Sequence, residues 1–469
     1  MTRGEHSVPT VLVINHANGP HLGGAELSLL SILDTWRSAH AVDLIVASPL
    51  PTGSMTRALQ DRGHRNIELA MPQWIVGDGA GGWARRKAIL HVGLHAIREL
   101  RGVIRTEQVS LVVTNTIVQP WGALAAAAEG VPHVWMIREF GDHDQGFSYP
   151  FGRTRTRREI GILSSIAVVN SHAVAADYGG VFESPPIVSY PPVDLRLVAA
   201  MADPPGVETE ERTVRAVVPA RLSREKGQWR VIEALAELGR DHSDAHALRV
   251  DFIGGASDKS TLAQLRSLAR ARGVLHQVRF LGEHQNPYRL MKRADFAVVP
   301  SGREAFGRAT LEALSLGLPV ITTRTGAGAE LVDASCGLLF EPDDISGLAA
   351  AMLTYLQDPR LRLAHSRCAI ERAESISSNG DVSEGLAARL TDAIALDPAQ
   401  LPQEWKTMLT AHAGGPTVPL HLQILARLEM NARKGLRGLL NPRRTFSRLL
   451  GHAFSRAGYD NPVVVQAER

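Results

Sequence analysis

The sequence predicts an α/β protein made of two doubly wound domains, and three observations carry that prediction. The chain has 469 residues, too many for one ordinary core. Short β-branched runs alternate with longer segments of helical period, as in βαβ units that feed parallel sheets. The alternation pauses once, at ADPPGVETEER (202–212), whose Pro, Gly and charge read as a linker, and then restarts.

In the first half the strand-like runs are VLVIN (11–15), VDLIVAS (42–48), SLVVTNT (110–116), VWMIRE (134–139) and IAVVNS (166–171). In the second they are VRAVVPA (214–220), RVDFIGG (249–255), VRFLG (278–282), DFAVVPS (295–301) and PVITT (319–323). From about residue 395 the pattern changes to a basic tail of helical period, interrupted by Pro442. The expected division is 1–203, 204–394 and a helical extension over 395–469. Ligands of doubly wound sheets bind at the carboxyl ends of the strands, so the expected site is the cleft between the two domains.

Apolar residues at 44% and charged residues at 21% describe a soluble globular chain. With 51 Lys and Arg against 48 Asp and Glu, the net charge of +3 argues against a nucleic-acid binder. Cys336 and Cys368 offer neither a disulfide framework nor a CxxC pair, and read as small apolar residues of a protein in a reducing cytosol. The start, MTRGEHSVPT, lacks the order of a signal peptide, and no stretch reaches the roughly 18 apolar residues of a membrane span. The expectation is a cytoplasmic protein, at most peripheral on the inner face of a membrane. Two basic amphipathic stretches raise that contact with an anionic membrane: 83–105, with apolar positions 90, 94, 97, 100 and 104, and 421–460, with eight Lys or Arg against two acids. The competing expectations are a core-packed helix for the first, which is favoured, and a docking helix for the second.

The clearest chemistry begins at VVPARLSREKGQWRVIEAL. A strand ends in Arg221, a turn carries Lys226 and Gly227, and a helix follows. Two cations beside a helix N-terminus suit a doubly charged phosphate group. A second element is GREAFGRATLE (302–312), which places Glu304 and Glu312 around a turn at Phe306, Gly307 and Arg308. If helical throughout, the two carboxylates would stand roughly 12 Å apart along the axis. A long ligand with a charged middle fits that spacing, with hydroxyls at the carboxylates and phosphates at the helix N-terminus. A third, VLVINHANGPHLGGAELSLLSIL, sets Gly23 and Gly24 between a strand and a helix, but it is no GxGxxG fingerprint, which removes the main support for a nicotinamide enzyme.

RLSREKG, FIGG, VRFLG, EAFGRATLEALSLGLPVITT and GLLFEP, in this order, resemble the donor domain of glycosyltransferase family 4, which has the GT-B fold of two Rossmann-like domains facing each other across a cleft. GGAE, NTIVQPWGALAAAAEGVPHVW and VVNSHAVAADY resemble the acceptor domain of the same family, so the resemblance covers about residues 10 to 390. It implies a retaining enzyme that moves a sugar from a UDP- or GDP-linked donor to a glycan or lipid-linked acceptor in surface polysaccharide or glycolipid synthesis, with no cofactor required and no metal. Arg221 and Lys226 would neutralise the diphosphate as it leaves. Glu304 would hold the transferred sugar and Glu312 the ribose. Backbone groups of Phe306, Gly307 and Arg308 would approach the donor, and Gly23 and Gly24 would face the diphosphate from the other domain. Many relatives carry a histidine after the fourth strand of the first domain. Here VWMIREFGDHD puts Arg138 there, as the candidate for a sugar or acceptor contact, with His143 farther on. The triplet Asp142 to Asp144 matches a metal motif of the other large glycosyltransferase fold, but reads better as a solvated loop. A phosphorylase or epimerase on the same plan, or a non-catalytic nucleotide-sugar binder, is the alternative function.

Overall fold

A computed structural model describes residues 8–77, 83–202, 213–256, 259–378 and 382–412. The strands are β1 (Thr10–Ile14), β2 (Asp43–Pro49), β3 (Arg65–Leu69), β4 (Val76–Gly77), β5 (Val109–Asn115), β6 (His133–Ile137), β7 (Phe147–Ser148), β8 (Ile166–Val169), β9 (Ile187–Val188), β10 (Val214–Pro219), β11 (Leu248–Ile253), β12 (Val278–Gly282), β13 (Phe296–Val299), β14 (Val320–Thr323) and β15 (Gly337–Phe340). The helices are α1 (Gly24–Ala39), α2 (Ser54–Asp61), α3 (Trp83–Thr106), α4 (Trp121–Glu129), α5 (Asp142–Gln145), α6 (Arg153–Ile162), α7 (His172–Asp177), α8 (Leu195–Ala202), α9 (Gln228–Asp241), α10 (Lys259–Ala271), α11 (Tyr288–Met291), α12 (Arg308–Ser315), α13 (Gly328–Leu331), α14 (Ile345–Gln357), α15 (Pro359–Ser378), α16 (Val382–Asp392) and α17 (Gln403–His412).

Two parallel sheets organise residues 8–378. The first runs β3-β2-β1-β5-β6-β8-β9 and the second β12-β11-β10-β13-β14-β15. Both reverse strand order beside their first strand, at β1/β5 and at β10/β13, which is where a doubly wound sheet opens a crevice for ligands. The central strands are apolar on both faces because helices cover both. Val11 and Val13 of β1 pack into one core layer, Leu12 and Ile14 into the layer on the opposite face, and all four are 0–1% exposed. Burying each such side chain is worth about 1.5–3 kcal/mol, so this alternation fixes the register of the sheet.

The chain crosses between domains at two places that differ from the expected division. Residues 193–202, counted with the first domain from the sequence, pack on the second: Val193, Val198 and Ala202 join the core that contains Leu311 and Leu314 of α12. Helices α16 and α17 return to the first domain. Leu386, Ala387 and Leu390 pack beside Trp36 of α1, whose Nε1 donates to Thr391 Oγ1 at 2.9 Å. Trp405 packs edge-on to Trp121, and its Nε1 reaches Glu159 Oε2 at 3.3 Å. An apolar face every third or fourth residue says that a helix docks, and it does not say on which domain.

Helix α3 is the amphipathic stretch 83–105. Its stripe of Leu94, Ile97, Leu100 and Ile104 is buried in the core, and Arg101 and Arg105 pair with Glu129 of α4. The apolar face therefore covers the sheet and is not presented to a bilayer. The stretch 421–460 lies outside the described residues. No helix among the described residues is long and apolar enough to cross a membrane.

Candidate functional site

The carboxyl edge of the second sheet carries the predicted cations. After β10 the chain passes Arg221, which is exposed and has no carboxylate partner among the described residues, and turns at Gly227 into α9. Gly227 has φ +70, and a Cβ there would stand 2.1 Å from Pro300 O. Only glycine lets the β10–α9 turn lie against the end of β13. That contact brings Lys226 to the segment after β13, where its Nζ donates to Glu304 Oε1 at 2.6 Å, and Ser301 Oγ donates to the same oxygen at 2.5 Å. Both side chains of the ion pair keep some exposure, 19% for Lys226 and 15% for Glu304. Glu304 is held from behind as well: its carbonyl accepts from Ala327 N at 2.8 Å.

Gly307, with φ +90, ends that loop and caps α12. The helix forms because Leu311 and Leu314 face the core while Arg308 and Glu312, one turn apart, pair at 2.9 Å. Glu312 Oε1 accepts from Arg308 Nε and, at 3.2 Å, from Tyr288 OH. Burial pushes the Glu312 carboxyl above its usual pKa, and Arg308 and Tyr288 work against that rise. The Oε2 atoms of Glu304 and Glu312 have no hydrogen-bond partner among the described residues. Each carboxylate is thus pinned by one oxygen and presents the other.

The first domain meets this edge from the opposite side. Gly24 lies so close to the Arg308 side chain that a Cβ on it would be 3.3 Å from Arg308 Cδ. Glu26 Oε2 accepts from Gly23 N at 3.1 Å, which fixes the start of α1. Arg303 reaches across to Asp177 at 3.2 Å and lies 3.7 Å over the Phe140 ring. Glu330 accepts from the backbone N–H groups of His172 and Ala173, at 3.0 and 2.7 Å, and from Tyr190 OH at 3.0 Å. These contacts hold the two carboxyl edges face to face.

Arg138 sits where the sequence expected a contact residue, and the structure adds its neighbours. Its Nε donates to Asn115 Oδ1 at 2.5 Å, and its backbone carbonyl accepts from Asn170 at 3.0 Å. Burial, with Arg308 adding and Glu139 and Glu26 opposing, brings its pKa down to about 10, so it stays a cation at neutral pH.

The triplet Asp142 to Asp144 is not a solvated loop. It forms α5, and Asp144 is 3% exposed, accepting from Phe140 N at 3.2 Å and Gly141 N at 2.8 Å. It lies near enough for the charges of Lys226 and Glu304 to act on it. Among the described residues no group of three His, Cys, Asp or Glu is placed to hold a metal ion. Sequence reasoning also missed Ser301, Arg303 and Glu330. Of these only Arg303, inside the singled-out GREAFGRATLE, stood in a segment that drew attention.

Comparison with known proteins gives the fold its name. Residues 204–373 match the family model described as glycosyl transferases group 1. A glycogen synthase of Mycobacterium tuberculosis is 36% identical over 158 residues, 33% of this chain and 37% of that protein, so the chain spans little more than a third of that relative's length. A GDP-mannose-dependent monoacylated alpha-(1-6)-phosphatidylinositol monomannoside mannosyltransferase of Corynebacterium glutamicum is 26% identical over 321 residues, 65% of this chain and 80% of that protein. The structure of Anabaena HepE in complex with UDP superposes with a TM-score of 0.62 at 19% identity, covering 82% of this chain and all of that one. The architecture is that of GT-B proteins, two Rossmann-like domains with facing edges.

Proposed function

We propose that the protein is a retaining glycosyltransferase of the family 4 type, which transfers a sugar from a UDP- or GDP-linked donor to a glycan or lipid-linked acceptor. The observation that carries this reading is the pair of half-pinned carboxylates around the α12 N-terminus. Glu304 and Glu312 each spend one oxygen on protein groups and present the other, Lys226 supplies positive charge beside Glu304, and Arg221 is exposed on the β10–α9 turn that carries Lys226. A nucleoside diphosphate sugar has the matching order of groups, with sugar hydroxyls for Glu304, phosphates for the cations and the helix terminus, and ribose hydroxyls for Glu312.

In the transfer, the bond between the anomeric carbon and the diphosphate oxygen breaks with the electron pair going to the diphosphate. Lys226 and Arg221 stabilise the charge that grows there, and the N–H groups at Gly307 and Arg308 add the helix dipole. The leaving diphosphate takes the acceptor hydroxyl's proton, and the new bond forms on the face that the leaving group vacates, which preserves the anomeric configuration. The relatives' printed activities, on GDP-mannose and in glycogen synthesis, agree with a nucleotide-sugar donor.

The test is nucleotide release from a panel of UDP- and GDP-sugars, with thermal shift read in parallel. Release from at least one donor, lost in Glu304→Gln, is the expected result. No release across the panel, or equal release by the variant, would contradict the proposal.

A further inference from the structure

The carboxyl edge of the first sheet holds polar groups to which the proposed diphosphate and ribose contacts give no role. β5 leads into Thr116, which has φ +76, a left-handed backbone that costs a β-branched residue about 1–3 kcal/mol and is held where the surroundings over-determine it. Asn115 beside it is 0% exposed; its Oδ1 takes the Arg138 Nε–H, and its Nδ2 is buried without a partner among the described residues. Asn170, after β8, donates to Arg138 O, and its own Oδ1 is likewise buried and unpaired.

Arg138 stands at the centre of this group, and its Nη2 is buried without a partner among the described residues. The carboxylates that act on it electrostatically are committed elsewhere. Glu139 accepts from Ile117 N at 2.9 Å and from Arg138 N at 3.0 Å. Glu26 accepts from Gly23 N and lies 3.5 Å from His16 Nε2. Arg308, on the facing edge, adds a second positive charge. Glu139 and Glu26 act on the Arg138 charge without hydrogen-bonding its side chain, so the buried Nη2 keeps a donor that a ligand acceptor would satisfy.

We infer that Arg138 recognises an anionic group, a carboxylate or a phosphate, carried by one of the two reacting substrates. A guanidinium whose Nη edge is free takes such a group through charge-assisted hydrogen bonds, and Asn115 Nδ2 stands beside it as a further donor. A neutral hydroxyl would accept from Nη2 through a weaker, uncharged hydrogen bond. The inference rests on the proposed glycosyl transfer, which decides what the substrates are.

Matched pairs separate the two sources. UDP-glucose against UDP-glucuronate, and GDP-mannose against GDP-mannuronate, probe the donor; glucose against glucose 6-phosphate, without nucleotide, probes the acceptor. Calorimetric titration of the full chain is expected to show the charged member of at least one pair bound about tenfold more tightly, as one charge-assisted contact implies. Arg138→Gln removes that preference and Arg138→Lys keeps part of it. A merely structural role for Arg138 would weaken both members of a pair equally. Preference in a donor pair assigns the anion to the sugar, and preference in the glucose pair assigns it to the acceptor. Equal affinities in all pairs, or a preference that survives in Arg138→Gln, overturn the inference. UDP and GDP titrated alone test the donor reading separately, because their failure to bind would leave the glucose pair to decide the role of Arg138.

Discussion

The two carboxyl edges share a topology and differ in how their charges are settled. On the second sheet, Lys226 is paired with Glu304 and Arg308 with Glu312, and the unpaired Arg221 is exposed to solvent. On the first, the Arg138 side chain hydrogen-bonds only the Asn115 amide, and buried atoms of Arg138, Asn115, Thr116 and Asn170 lack partners among the described residues. An edge with its charges paired is preorganised for one kind of ligand, and an edge with orphaned polar atoms depends on a ligand to complete it. On the proposed function, the first edge is where specificity is to be sought, and the second is where the transfer chemistry would lie.

The largest expected effect breaks the second edge. Lys226→Ala removes a cation from the departing diphosphate, and steady-state transfer should fall about 10²–10³-fold with little change in circular dichroism. Wild-type turnover would remove Lys226 from the chemistry. Next in size is a backbone change. Gly227→Ala drives a Cβ against Pro300 O from a left-handed backbone, and should cost about 3 kcal/mol in thermal unfolding. Gly23→Ala on the first edge, with φ −90 and only the Glu26 carboxylate 2.8 Å away, should cost less than about 1 kcal/mol, because that side chain can move. Equal losses would mean that the two glycines serve the same purpose.

These contrasts also mark what the sequence could and could not disclose. Central strands such as VLVI and AVVP were legible because continuous β-branched runs between helical segments have few other readings. The edge strand β3 was not, since RNIEL is short, charged and only partly buried. Arg221, Lys226, Glu304 and Glu312 were visible because their spacing around two glycine turns is local. The Lys226–Glu304 pair spans 78 positions and exists only once the second sheet has formed, while the Glu330 contacts with α7 and Tyr190 span more than 130 and exist only after the domains meet. Asp144 was misjudged because a DHD triplet looks solvent-facing until the N–H groups of Phe140 and Gly141 turn toward it.

A smaller effect is carried by pH. Burial raises Glu139 to about pKa 7, and burial lowers His133 to about 4. Glu139 is protonated in the fold and ionised in the unfolded chain between about pH 4.5 and 7, so its contribution to stability falls as pH rises through that window, by at most about 3 kcal/mol. His133 is neutral in the fold and charged in the unfolded chain between about pH 4 and 6.5, so its contribution rises with pH. The two slopes oppose each other. Glu139→Gln should leave the His133 slope exposed, so that the melting temperature falls more steeply from pH 6.5 to 4.5 than in the wild type. Parallel profiles would contradict the assigned charge states. A further effect is at the domain contact, where Glu330→Ala should cost about 1 kcal/mol and raise the radius of gyration in solution scattering.

The most direct test of the central claim is calorimetric binding of UDP and GDP to the wild type and to Lys226→Ala. The account predicts that one nucleotide binds the wild type and that the variant binds it at least about tenfold more weakly, as loss of a charge-assisted contact requires. Equal affinity for both proteins, or no binding of either nucleotide to the wild type, would contradict it.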